Sequence, residues 1–225
     1  LPAFKIASTD TNNIPLIEYI SQKGIPVILS TAMASMEEVE NAVSSIKQNG
    51  NPDYAVLQCS GNYPANIYDS NLRVIETYKS HFNCIVGYSD HTTELINPIA
   101  ATALGAKIYE KHITLDKNMP GPDHRMSLNK DELINTIKAI RNTELALGSS
   151  KKLVLESEIE NRLKLRKSIV SKEKISKDDI LTKEMVGIKR PGHGISPEMI
   201  NTIIGKKLKI DLGADEVITS DMLYD

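Results

Sequence analysis

Five short apolar runs, each ending in polar side chains and each followed by an amphipathic helical stretch, recur roughly every 20 to 30 residues along the first part of this chain. They are Ala3 to Ser8, Pro26 to Thr31, Tyr54 to Ser60, Ile85 to Ser89 and Ala106 to His112. Such an alternation requires parallel strands joined by crossover helices. The runs are continuously apolar, which implies a sheet buried on both faces. A doubly wound sheet gathers its site at one switch point, whereas here every strand closes in polar residues. A (β/α)8 barrel puts all strand C-termini on one rim and explains the pattern better. Eight strands are needed and five are visible, so the expectation is a partial TIM barrel, about the last five βα units, with some three units upstream of Leu1. The opening agrees, because Leu1 is not a Met and a strand is under way within a few residues.

Local signals punctuate the helices. Asn13 with Pro15, Ser35 with Glu38, and Asn129 ahead of Leu133, Ile137 and Ile140 read as starts. Gly24, Gly50 and Gly148 read as stops. The barrel portion is therefore assigned to residues 1–148. Residues 149–167 are charged and helical in propensity, a linker, and residues 168–225 alternate short β-type segments with turns. That last part reads as a small separate domain of about 55 residues, near the lower limit for independent folding.

With 27 basic and 29 acidic side chains the formal charge is -2, which argues against a nucleic-acid partner or a polybasic membrane surface. No apolar run approaches the length of about 18 residues that spans a membrane, and no signal-peptide core is visible, so a cytoplasmic location is the default expectation. Cys59 and Cys84 lack CxxC spacing and are expected to be packed, reduced thiols without a function.

The chemistry concentrates between Val86 and His124. Ser89, Asp90 and His91 close the fourth run, Glu110, Lys111 and His112 close the fifth, and Gly121-Pro122-Asp123-His124 follows. Neighbouring parallel strand ends would bring the imidazoles of His91 and His112 within a few ångströms of one another. Two neutral nitrogens with Asp90 and Glu110 beside them suit a divalent metal that keeps open positions. On the same rim Lys5, Ser8, Ser30, Thr31, Ser60, Tyr63 and Ser89 offer a cation and hydroxyl donors to a phosphate or carboxylate. Lys5 weighs most, since a charge on a strand buried on both faces is costly unless paired. Arg190, in Arg190-Pro191-Gly192-His193-Gly194-Ile195, is presented from a turn.

The runs FKIAS, PVILSTAM, QCSGNYP, VGYSDHT, YEKHITLD with GPDH, and RPGHGI, in this order, resemble the sialic-acid synthase family of the N-acetylneuraminate and legionaminate type. The resemblance implies a (β/α)8 barrel followed by a SAF, or antifreeze-like, domain, in a domain-swapped homodimer. It implies condensation of phosphoenolpyruvate with the open-chain aldehyde of an N-acyl-mannosamine or related N-acyl-hexosamine. His91 and His112 would be the metal ligands, most often for Mn2+, with Mg2+ or Co2+ as alternatives. Lys5, Ser8, Ser30, Tyr63 and Ser89 would hold phosphoenolpyruvate. Asp10, Glu110 and Asp123 would lie around the sugar and the reacting centre, Asp10 and Glu110 with catalytic roles, and Arg190 would reach over the partner's barrel to the N-acyl group. The alternatives weighed are another phosphoenolpyruvate-dependent aldol synthase, a metal-dependent barrel hydrolase, and a non-catalytic sugar-binding or dimerisation module. Five strands cannot close a barrel, so the 225 residues alone are expected to be inactive.

Overall fold

A computed structural model describes residues 1–51 and 53–224. The chain divides into two compact units, Leu1–Gly148 and Ser149–Asp225. In the first, β1 (Phe4–Ile6), β2 (Val27–Ser30), β3 (Tyr54–Cys59), β4 (Ile85–Asp90) and β5 (Ile108–Lys111) form a parallel sheet in sequential order. Between and after them run α1 (Ile14–Ser21), α2 (Met36–Gln48), α3 (Val74–Phe82), α4 (Ile96–Ala103) and α5 (Lys130–Leu147). The sheet curls into half a barrel. Its two edge strands face each other across the concave side, where Lys5 Nζ on β1 lies 3.4 Å from Glu110 Oε2 on β5.

Strand pleating sorts the side chains. Ile6, Val27, Leu29, Val56, Val86 and Tyr88 face the helices and pack with Ile17, Val39, Ile46 and Ile75 into the main core. Burying each such aliphatic side chain is worth roughly 1.5–3 kcal/mol. The opposite set, Lys5, Ile28, Ser30, Leu57, Cys59, Gly87, Ser89 and Glu110, turns to the concave face. There Gly87 has no room to be anything larger, because a Cβ would stand 2.4 Å from the Ile108 carbonyl and 2.5 Å from Leu57 Cδ2. Gly87→Ala is expected to destabilise the barrel portion at the upper end of the roughly 1–3 kcal/mol typical of overpacking, read from the shift in denaturant midpoint.

The capping boxes at Ser35 with Glu38 and Asn129 with Glu132 both form. Asn13 does not cap α1 with its side chain; its Nδ2 donates instead to Asp10 Oδ1 at 3.0 Å. Helix α3 stops at Asn83, which adopts a left-handed conformation at φ 48°.

In the second unit the charged stretch after Gly148 is not featureless, since Ile159–Leu165 is helical (α6). Strands β6 (Ser168–Ser171) and β7 (Val186–Lys189) pair antiparallel. Single bridges such as Val170 with Val217 and Ile175 with Leu212 add to them, and α7 (Ile200–Ile203) completes the regular elements. A small core of Ile169, Ile175, Leu181, Leu208, Leu212 and Ile218 holds the unit together. The turn carrying Arg190 is pinned by Ser168, whose Oγ donates to the Pro191 carbonyl at 2.7 Å and accepts from the Gly194 amide at 2.8 Å. Gly194 is required there, because a Cβ would meet Val217 Cγ1 at 2.2 Å. Among the described residues no helix is long and apolar enough to cross a membrane.

Candidate active site

The strand C-termini surround a cavity of about 230 Å³ on the concave face, lined by Lys5, Ser8, Ser30, Cys59, Tyr63, Ser89, His91, Glu110 and His112 among others. Strand register builds it: Cys59 lies beside Ser89, and Ser89 beside Glu110. Ser89 Oγ donates to Glu110 Oε1 at 2.7 Å, while Lys5 approaches the other carboxylate oxygen. Lys5 also donates to the Ile6 carbonyl at 3.1 Å. Ser8 Oγ accepts from the Ala32 amide at 2.9 Å, which leaves its hydroxyl hydrogen free to donate. Ser30 Oγ is buried without a hydrogen-bond partner among the described residues. A buried hydroxyl in that state costs free energy until something bonds to it, and a ligand oxygen in the cavity would do so.

His91 is buried, and its ring is held in one tautomer. Its Nδ1 lies 2.7 Å from the Ser60 carbonyl, and because a carbonyl only accepts, Nδ1 carries the proton and Nε2 keeps the lone pair. Burial pushes its pKa down, which keeps the ring neutral, with the nearby His112 and Lys111 acting in the same direction. Tyr63 stacks on the His91 ring with centroids 3.9 Å apart, and the His91 and His112 rings are 5.5 Å apart. Burial raises the Tyr63 phenol pKa, so it stays a neutral donor. His112 Nδ1 lies 3.7 Å from Asp123 Oδ2, placing Asp123 at the cavity's rim. This donor set suits a divalent cation: two imidazoles side by side, one with its tautomer fixed by a carbonyl, the arrangement by which proteins orient histidine ligands. Among the described residues no group of three or more His, Cys, Asp or Glu is placed to hold a metal ion.

Several expectations from the sequence separate here. Asp10 does not line the cavity and is engaged with Asn13 in the turn after β1. Arg190 belongs to the second unit, where it is exposed. Thr31 donates to the Leu57 carbonyl and contacts the Tyr78 hydroxyl, both within the core, and Ser60 Oγ is spent on the Asp69 carbonyl. Asp90 is not beside the imidazoles' cavity at all; the pleat sends it to the helix side, where Tyr109 donates to it at 2.7 Å. Conversely, Cys59 was expected to be inert packing, yet it lines the cavity with its thiol 3.8 Å from His91 Nδ1. Burial raises its pKa, which keeps it a thiol. Its parity was the available signal, since Ser30, Cys59, Ser89 and Glu110 all occupy the same face near a strand's end. Met33 also lines the cavity, held at φ 65°; its Cγ fills the space a Cβ on Gly61 would enter, at 2.9 Å.

Relatives share both the sequence and this fold. N-acetylneuraminate-9-phosphate synthase of Homo sapiens is 40% identical over 225 residues, covering 99% of this chain and 62% of its own length. N,N'-diacetyllegionaminic acid synthase of Legionella pneumophila is 38% identical over 93% of this chain and 60% of its own length. The crystal structure of an N-acetylneuraminic acid (sialic acid) synthetase from Leptospira borgpetersenii superposes with a TM-score of 0.67 at 38% identity, over 72% of this chain and 56% of that one. The chain thus spans about three fifths of the length of these curated relatives. Residues 166–223 match the SAF domain. Residues 1–152, which contain every side chain that lines the cavity, match the NeuB family, and the chain belongs to that family.

Proposed function

We propose that this chain carries the strand-end rim of a nonulosonic acid synthase, which condenses phosphoenolpyruvate with the aldehyde of an N-acyl-mannosamine-type sugar. The observation that carries the reading is the convergence on one cavity of a lysine, three serine hydroxyls, a carboxylate and two imidazoles. Lys5, with Ser8, Ser30 and Ser89, would neutralise and bond the phosphate and carboxylate oxygens of phosphoenolpyruvate. His91 and His112 would hold a divalent cation, Mn2+ or alternatively Mg2+ or Co2+, whose chemistry there is Lewis-acid polarisation of the aldehyde oxygen.

The enol carbon of phosphoenolpyruvate forms the new C–C bond to the aldehyde carbon, leaving an oxocarbenium-like C2. Water adds to C2, and the C2–O bond to phosphate breaks as the ketone forms. The aldehyde oxygen gains a proton and the attacking water loses its protons; Glu110, held by Ser89 and facing Lys5, is placed to move one of them. Asp10, Asp123 and Arg190 are assigned to the sugar side, Arg190 from a partner subunit in a domain-swapped homodimer. The names of the relatives, N-acetylneuraminate-9-phosphate, N,N'-diacetyllegionaminic and pseudaminic acid synthases, stand at 40%, 38% and 37% identity. Identity so even favours no one of these acceptors over the others.

The test is phosphate release from phosphoenolpyruvate by the longest encoded form, with Mn2+ and a panel of N-acyl-hexosamines, with and without EDTA. Release that needs both the cation and one sugar is the expected result; release without sugar, or none with any sugar from a folded protein, would overturn the reading. The 225 residues assayed alone are expected to be inactive, because β1 and β5 are open edges and the cavity's concave side is not enclosed.

A further inference from the structure

We propose that Asp90 and Lys111 are positioning residues for the His91–His112 pair, tying the end of β4 to the end of β5 through a buried ion pair on the helix-facing side of the sheet. The inference rests on reading the two imidazoles as cation ligands. Register sets Asp90 beside Lys111, each one residue before a histidine. Their side chains are 1% and 5% exposed, with Nζ and Oδ2 3.9 Å apart.

Their hydrogen bonds converge on the residue after His91. The Thr92 amide and hydroxyl both donate to Asp90 Oδ1 at 2.8 Å, and Lys111 Nζ donates to the Thr92 carbonyl. Tyr109 donates to Asp90 Oδ2, and Asn97 Nδ2 donates to Thr92 Oγ1 at 3.0 Å. The turn that carries His91 is therefore attached to the strand that carries His112, one residue from each ring. A buried ion pair seldom stabilises a fold more than apolar side chains of equal volume, because desolvation offsets the Coulomb gain. Its distinct contribution is to select one arrangement, and the arrangement selected here is the spacing of the two imidazoles. No contact with substrate or cation is needed for that role.

The test uses the longest encoded form and Mn2+ alone as the probe, with binding followed by the EPR signal of free Mn2+ and folding by thermal unfolding. Asp90→Asn/Lys111→Met leaves neither charge unpaired and keeps an acceptor for Thr92, while removing the Lys111 link from β5 to Asp90 and the Thr92 carbonyl. It is expected to unfold near the parent's temperature and to bind Mn2+ about 10- to 100-fold more weakly, with Lys111→Arg recovering most of the loss. Tyr109→Phe, which deletes one hydroxyl and keeps the ring, provides a second measure if the double variant does not fold. Weaker Mn2+ binding at unchanged stability supports the proposal, and parent-like binding by the folded Asp90→Asn/Lys111→Met variant, or by Tyr109→Phe where the double variant does not fold, overturns it. His91→Ala/His112→Ala separates the two readings: if it binds Mn2+ as the parent does, the cation reading fails and this proposal with it. If only the ion-pair variants bind normally, the positioning role alone fails.

Discussion

Replacing His112 by Ala is expected to abolish metal-dependent phosphate release, with a loss of roughly a thousandfold or more in kcat/KM. The magnitude follows from the several kcal/mol that a Lewis acid contributes at a developing alkoxide, at about tenfold per 1.4 kcal/mol. His112 is the better probe of the pair because its side chain is 37% exposed, so truncation leaves no large cavity and no buried orphan. His91→Ala should cost as much activity but also some stability, since it strips the Ser60 carbonyl of its donor and Tyr63 of its stacking partner. The check is to measure Mn2+ binding, turnover and unfolding on the same samples of the longest encoded form. Full activity of a folded His112→Ala variant would refute the assignment.

Glu110→Gln is expected to lower kcat by about 10²- to 10⁴-fold, the range for loss of a general acid or base. The amide oxygen can still accept from Ser89, so the side chain keeps its place while losing the charge that faces Lys5. The Lys5–Glu110 pair is more than a third exposed on the carboxylate side, and such pairs are worth about 0–1 kcal/mol, so unfolding should hardly change. The KM for phosphoenolpyruvate should move far less than kcat, because Lys5 remains available to the phosphate. Steady-state kinetics separates the two: a large rise in KM at unchanged kcat would make Glu110 a binding group and not a proton carrier.

Much of this was legible in the sequence. The five strands, their parallel order and most helix starts rest on short-range signals: apolar runs of strand length, Ser35 with Glu38, Asn129 ahead of Leu133. Eight of the rim residues singled out from strand ends, from Lys5 to His112, line one cavity. Where sequence position and place in the fold diverge, the pleat is the main cause. Asp90 and Thr31 lie next to site residues in the chain and on the opposite face of the sheet, and Cys59 lies on the site's face although its type suggested mere packing. Asp10 lies beyond the end of β1, in a turn where Asn13 Nδ2 donates to its carboxylate.

The order of strands and helices, and the polar character of every strand end, were determined by the sequence alone, because hydrophobic period and capping chemistry act over a few residues. Which of those polar groups meet was decided only by the tertiary structure. Lys5 and Glu110 are 105 positions apart on opposite edges of the sheet, and it is the curl of the sheet that brings their charges to 3.4 Å. The same pleat that turns Ser89 and Glu110 into the cavity sends Asp90 and Lys111 behind it, where burial forces them to pair.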